Sequence, residues 1–166
     1  MMLQQFQVLA AYQRQMNQQF YTVCEQLGEE ELRQDRGAYF KSIFGTLNHM
    51  LLTDRLWLSG FLGNPISFSS LFEELYDNFA EQRSGREQTD ADIKVWVEGL
   101  TVKSLQVPFS DGLQLPLWVT ITHFFNHQTH HRGQLSTLLS QAGLNFGATD
   151  LPWIEGVRAH VTAGPS

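Results

Sequence analysis

Four of the six histidines in this 166-residue chain fall within nine residues, at positions 123, 127, 130 and 131. The surrounding segment, from about Leu117 to Gln141, has the apolar spacing of an α-helix. Residues four apart on a helix lie one turn apart on the same face, so two imidazoles at this spacing can bind a single metal ion. A third ligand must come from elsewhere, and the remaining histidines are His49 and His160.

Two pairs in the cluster have the required spacing: His123 with His127, and His127 with His131. At about 100° per residue, His123 and His131 lie about 40° on either side of His127, whereas His130 lies about 60° away. His127 belongs to both pairs and is therefore the favoured ligand. The spacing alone leaves its partner open.

Histidines on a helix can also be exposed, or buried and held by hydrogen bonds. The density of this cluster, with His49 inside an apolar run elsewhere, favours the metal interpretation. Burying several imidazoles without partners would cost a few kcal/mol, and a bound divalent cation removes that cost. The chain has no Cys-x-x-Cys and no His-Glu-x-x-His pattern, so neither a zinc finger nor a zincin protease is indicated.

The composition excludes several classes of function. A net charge of −6 and 11 scattered basic residues argue against a nucleic-acid-binding surface. The single cysteine, Cys24, cannot form an internal disulfide and is expected to be a small buried side chain. No signal peptide and no apolar run of about 18 residues is found, so we expect a cytoplasmic protein without a membrane span.

Apolar spacing predicts four long helices in one domain. They cover about 3–27, 39–62, a third region between 72 and 100, and 117–141. The third region is either one interrupted helix or a short helix followed by a long one, with Ser84-Gly85 as the candidate break.

The connections between these helices are predicted from their polar and turn-forming residues. The charged segment 29–37 indicates a turn or linker, and the chain becomes irregular after Asn145. The domain is predicted to cover residues 1–157, and residues 158–166 to form a loose tail.

Residues 104–116 alternate around Asp111-Gly112, which is typical of a β-hairpin. Pro108 and Pro116 restrict this hairpin to a short ribbon at an edge. The predicted fold is therefore all-α: a four-helix bundle with a small β-hairpin before the last long helix. Such bundles place metal sites between facing helices.

Two motifs resemble the DinB family. They are Asn48-His49 with Asp54-Arg55-Leu56-Trp57 on the second long helix, and Asn126-His127-Gln-Thr-His130-His131-Arg132-Gly133-Gln134 on the fourth. The likeness extends over nearly the whole chain, and the final His-Arg-Gly-Gln is its most specific part. The resemblance implies the fold of the DinB/YfiT-like metal-binding four-helix bundles.

The resemblance also implies a ligand set: His49, His127 and His131, holding zinc or nickel. His123 and His130 are then neighbours of the site or surface residues, and His160 is unrelated to it. No catalytic residue is identified. Gln134 lies near the face of His131 and can border the site, whereas Asp54 is expected to point away as a buried ion pair or a surface charge.

Three histidine ligands leave a coordination position for water or substrate, as in catalytic sites. The resemblance implies a metal-dependent enzyme of stress response or detoxification, of the thiol-dependent S-transferase or hydrolase type. Its partners would be a small-molecule substrate, a low-molecular-weight thiol and a second copy of the chain, as a homodimer. The alternative is a non-catalytic, stress-induced metal-binding protein.

Overall fold

The structure, a computed structural model, describes residues 1–109 and 114–162, with the backbone alone for residues 159, 160 and 162. Six α-helices lie in these ranges: α1 Met2–Cys24, α2 Glu29–Arg33, α3 Ile43–Phe61, α4 Phe79–Glu98, α5 Leu117–Gln141 and α6 Glu155–Thr162. Two single turns of 3-10 helix are Ser104–Gln106 and Leu151–Trp153. The described residues include no strand, which confirms the all-α prediction. No helix among them is long and apolar enough to cross a membrane.

Four of the helices form a bundle. Both α1 and α3 pack against α4 and α5, so α1 and α3 occupy opposite corners. The short α6 packs along α1, and α2 packs beside α3. Because α3 and α5 are neighbours, side chains on their facing sides meet inside the bundle.

The core consists of two apolar clusters with a polar layer between them. One cluster includes Phe20, Phe44, Leu47 and Leu135, and the other includes Phe6, Leu58, Ile93, Ile121 and Phe124. On each bundle helix, buried polar residues occupy the positions between the two clusters; they are Gln13, Asn17, Asp54, Arg86, Asp90 and Gln128. This layer therefore spans the cross-section of the bundle.

The third long helix, α4, is one continuous helix, so both predicted alternatives, an interrupted helix and a short helix followed by a long one, are wrong. It begins after Asn78, whose side chain accepts a hydrogen bond from the Glu81 N–H at 3.0 Å, and the preceding residues 72–78 are not helical. Gly85 does not break the helix. A Cβ atom there would overlap the ring and hydroxyl of Tyr76, so the glycine makes room for this side chain.

The predicted β-hairpin at residues 104–116 is wrong for the described residues. Ser104–Gln106 is a 3-10 turn, and the later part has one isolated antiparallel bridge between Pro108 and Pro116. Two backbone hydrogen bonds flank this bridge, from the Phe109 N–H to the Leu115 carbonyl at 2.8 Å and from the Leu117 N–H to the Val107 carbonyl at 2.9 Å. The pairing goes no further on the outer side, because the 3-10 turn precedes it and α5 begins at Leu117. The predicted Asp111-Gly112 turn lies outside the described residues.

Two predicted irregular segments contain short helices. Where a turn or linker was predicted, α2 forms, and the Glu31 carboxylate accepts a hydrogen bond from the Gly28 N–H at 3.0 Å. At the chain end α6 runs to Thr162, because Ile154 and Val157 bury their side chains in the core cluster along α1. The domain limit at residue 157 stays a prediction.

Candidate metal centre

Three histidines from two facing helices converge in the bundle. His49 lies on α3, and His127 and His131 lie one turn apart on α5. The Nε2 atom of His131 is 3.1 Å from Nε2 of His49 and 3.1 Å from Nε2 of His127. One ligating nitrogen of each residue lies within 4.8 Å of the other two.

These distances fit a divalent cation. Two nitrogens bound at about 2.0–2.1 Å to one ion lie about 2.9 Å apart at a right angle and about 3.3 Å apart at the tetrahedral angle. The observed 3.1 Å separations lie between these values. The three histidines are therefore positioned to hold a metal ion, and their imidazole donors suit zinc, nickel, copper or iron.

The environment keeps the three imidazoles neutral, as metal ligands must be. Burial and, to a smaller extent, nearby His131 lower the pKa of His49 to about 4, while a hydrogen bond with a backbone group of Leu71 opposes the shift. Burial and then the neighbouring histidines lower the pKa of His127 to about 3. Burial also lowers the pKa of His131, against a hydrogen bond to Gln134. No carboxylate contributes to these shifts.

The centre is closed on one side and accessible on the other. His49 and His131 are 3% and 7% exposed, and the Phe40 ring stacks on His49 with centroids 3.7 Å apart. His127 is half-buried, and its helix neighbours Asn126 and His130 are exposed. A small molecule would therefore approach from the side of His127.

Asn48 connects the centre to the long loop between α3 and α4. Its side-chain amide donates to the Glu73 carbonyl at 2.8 Å and accepts from the Leu75 N–H at 2.9 Å. The loop is thereby held beside His49, where Phe72 packs against Phe40 at 5.2 Å between ring centroids. Sequence reasoning missed both Asn48 as a loop anchor and Phe40 as a cover, because each depends on a long-range contact.

The other histidines stand outside the group of three. The His123 ring is 5.9 Å from the His127 ring and 5.3 Å from Trp57, and it is exposed. His130 Nε2 lies 3.3 Å from the Gln134 side-chain nitrogen. The side chain of His160 is outside the described residues.

Two further polar residues of the motifs have clear surroundings. Gln134 borders the centre as predicted, with its Oε1 2.7 Å from Nδ1 of His131. Asp54 points away from it and forms a buried ion pair with Arg86 at 2.7 Å. The sequence analysis did not single out Arg86, although an Arg86–Asp90 pair at the i, i+4 spacing was visible in the sequence.

A four-helix bundle with a three-histidine centre between two facing helices defines a class of metal-binding bundle proteins. The chain belongs to the DinB family, whose sequence model matches residues 2–160. It is similar to Protein DinB of Bacillus subtilis (strain 168), at 27% identity over 144 residues, which cover 81% of this chain and 84% of the relative. It is also similar to the Uncharacterized protein YizA of the same organism, at 24% identity over 128 residues, covering 75% and 80%. The predicted family is confirmed.

Proposed function

We propose that this protein is an enzyme that uses a divalent metal ion, zinc or nickel, to activate a low-molecular-weight thiol for S-transfer or hydrolysis in stress response or detoxification. One observation carries the proposal: three neutral imidazole nitrogens converge, and no fourth histidine, cysteine or carboxylate in the described ranges joins them. A site with three protein ligands retains a position for an exogenous ligand, whereas structural zinc sites are usually closed by four.

The electrostatics of the site favour a thiol over water as the activated group. A divalent cation bound here would lower the pKa of a thiol or a water molecule. A free thiol has a pKa of about 8.5 and ionises readily, whereas water needs a much larger shift or a general base. No Asp or Glu of the described residues joins the three-histidine group to serve as that base.

The chain's own residues would exclude water and admit the thiol from one direction. Phe40 covers His49, and the loop held by Asn48 lies over the same side. The half-buried His127 is the ligand nearest to solvent. The proposal includes a homodimer, as the family resemblance implies, and a cytoplasmic location, as predicted from the sequence. Light scattering on the purified protein tests the dimer.

The alternative proposal is a non-catalytic metal-binding protein induced by stress. No Asp or Glu of the described residues joins the three-histidine group, which favours this alternative because many metal-dependent reactions need a general base. Both proposals include the bound metal ion, and they differ in whether the protein catalyses a reaction.

Metal analysis of the purified wild type, His127→Ala and His123→Ala tests the shared part. We expect about one ion per chain in the wild type, a loss in His127→Ala and no change in His123→Ala, whose residue lies outside the converging group. Equal metal content in the wild type and His127→Ala would overturn the site.

Turnover then separates the two functions. The zinc- and nickel-loaded wild type is incubated with a series of low-molecular-weight thiols and an electrophilic acceptor, and thiol consumption is followed. Thiol consumption above that of a buffer blank with the same metal ion, which persists in His123→Ala and disappears in His127→Ala, supports the enzyme. No turnover with any thiol supports the non-catalytic protein.

A further inference from the structure

Gln134 contacts the outer nitrogen of one ligand histidine. It lies three residues after His131 on α5, and its Oε1 is 2.7 Å from Nδ1 of His131. A side-chain amide oxygen can only accept, so with this orientation Nδ1 of His131 carries the proton and donates. In the neutral imidazole the other nitrogen, Nε2, then has a free lone pair. This is the atom that lies 3.1 Å from both His49 and His127.

His130 supports this orientation of the amide when its own proton is on Nδ1, because its Nε2 then accepts. The Gln134 side-chain nitrogen lies 3.3 Å from Nε2 of His130, to which it can donate. If the amide were reversed, its nitrogen would donate to Nδ1 of His131 and favour the tautomer with a proton on Nε2. That proton would point into the centre, and the nitrogen could not bind a metal ion.

We propose that Gln134 is a positioning residue that holds His131 in the Nδ1–H tautomer, and that His130 fixes the direction of the Gln134 amide. The hydrogen-bonded row His130–Gln134–His131 thus prepares the Nε2 lone pair before a metal ion arrives. It gives the exposed His130 a role although it is not a ligand. The effect on affinity rests on the proposed metal site, whereas the tautomer is a property of the metal-free protein.

Four variants test the proposal. Gln134→Leu removes the acceptor, Gln134→Glu keeps it, and His130→Ala removes the partner that orients the amide. Gln141→Leu is the matched control, since Gln141 is the exposed last residue of α5. Zinc affinity is measured by competition with a chromophoric chelator, and the His131 tautomer by the ¹⁵N shifts of its ring in the metal-free protein at pH 7.5.

We expect Gln134→Leu to weaken zinc binding about 10- to 100-fold, as loss of a hydrogen-bond partner of a ligand histidine does elsewhere. In this variant the ¹⁵N shifts of the His131 ring should indicate a mixture of the two tautomers. Gln134→Glu should bind zinc at least as tightly as the wild type, His130→Ala should lie between the wild type and Gln134→Leu, and Gln141→Leu should match the wild type.

The proposal is overturned if Gln134→Leu retains both the wild-type affinity and the wild-type ring shifts. Gln134→Ala removes the same acceptor and replaces Gln134→Leu if circular dichroism shows that the latter does not fold. If the wild type binds no zinc, the proposed metal-dependent function fails, while the ring shifts still decide the role of Gln134.

Discussion

The guanidinium of Arg86 on α4 lies 2.7 Å from the carboxylate of Asp54 on α3, and both side chains are buried. The same guanidinium is 2.9 Å from Asp90. Gln13 on α1 and Gln128 on α5 donate to Asp54 at 2.8 and 2.7 Å. All four bundle helices thus meet at one polar layer, and sliding any helix along its axis would separate these partners.

Replacing Arg86 by methionine should destabilise the protein by about 3–5 kcal/mol at pH 8, because Asp54 and Asp90 lose their buried cation. Burial already raises the pKa of both carboxyls, and the guanidinium opposes the rise. Without it their pKa values should rise further above the unfolded value, so the folded state would bind more protons than the unfolded state. The loss measured by urea unfolding should therefore be smaller at pH 5 than at pH 8.

The matched control for Arg86→Met is Arg83→Met on the same helix. The Arg83 guanidinium pairs with Glu87 and Glu25 at the surface, where a pair contributes less than about 1 kcal/mol. Equal losses of stability in Arg86→Met and Arg83→Met would contradict the need for a cation beside the two buried carboxylates. The same conclusion would follow if the difference in stability between the variants did not change with pH.

The long helices and part of the site could be predicted because the signals are local. An apolar repeat specifies a helix wherever it lies, and i, i+4 spacing alone favoured His127. The choice of His131 over His123 depended on the family resemblance. In the structure His131 faces His49 across the α3–α5 contact, whereas His123 packs on Trp57. That difference arises from packing between helices, and the spacing of residues within α5 carries no information about it.

The errors came where local preference competes with long-range contacts. The 104–116 segment has alternating residues, but its one bridge lies between the 3-10 turn at Ser104–Gln106 and the start of α5 at Leu117, so the pairing does not extend on that side. Residues 72–78 have apolar spacing, yet the chain there is held by Asn48 and by the hydrogen bond from Arg55 to Tyr76 at 2.6 Å. A backbone bound to side chains of α3 does not form its own helix.

Alanine at Gly85 and at Gly133 should have opposite effects on stability. At Gly85 the new Cβ would overlap Tyr76 and disturb its hydrogen bond with Arg55, so we expect a loss of about 1–3 kcal/mol. At Gly133 the Cβ would meet nothing within 4 Å inside α5, so a gain of up to about 1 kcal/mol is expected. Thermal unfolding of both variants measures the difference, and a stabilised Gly85→Ala would contradict the packing role of this glycine.

Asn48→Ala should release the loop between α3 and α4. The change removes the two hydrogen bonds to Glu73 and Leu75 and leaves two backbone groups unpaired, at a cost of about 1–3 kcal/mol. Limited proteolysis should cut the loop faster than in the wild type, near the exposed Leu71 and Phe72.

Asn64→Ala is the control for this effect within the same loop. The Asn64 amide makes one long side-chain hydrogen bond of 3.4 Å, to Leu62, and the residue is exposed. Its cleavage rate should remain that of the wild type. If Asn64→Ala and Asn48→Ala were cleaved alike, the loop would not depend on the anchor.

The buried histidines should make the metal-free protein less stable as the pH falls from 7 to 5, whereas Asp54, whose pKa burial raises to about 7, acts in the opposite direction. The pKa values of His49 and His127 are lowered to about 4 and about 3 in the folded protein, against about 6.5 in the unfolded chain. Between these values the unfolded state binds more protons, so the free energy of unfolding rises with pH. After allowance for the partial exposure of His127, the contribution of the two histidines to this change is a loss of roughly 2–3 kcal/mol.

Urea unfolding in the presence of a chelator at pH 7, 6 and 5 measures this loss, with His127→Ala and His123→Ala as a matched pair. His127→Ala should lose less stability than the wild type as the pH falls from 7 to 5, because one histidine that stays neutral in the folded state is removed. His123→Ala should keep the wild-type dependence, since that ring is exposed. Zinc at 100 times its dissociation constant should restore about 2.7 kcal/mol at pH 7, and less at pH 5, where protons compete for the same nitrogens. An equal pH dependence of the free energy of unfolding in the wild type and His127→Ala would mean that the His127 imidazole is not held neutral by burial.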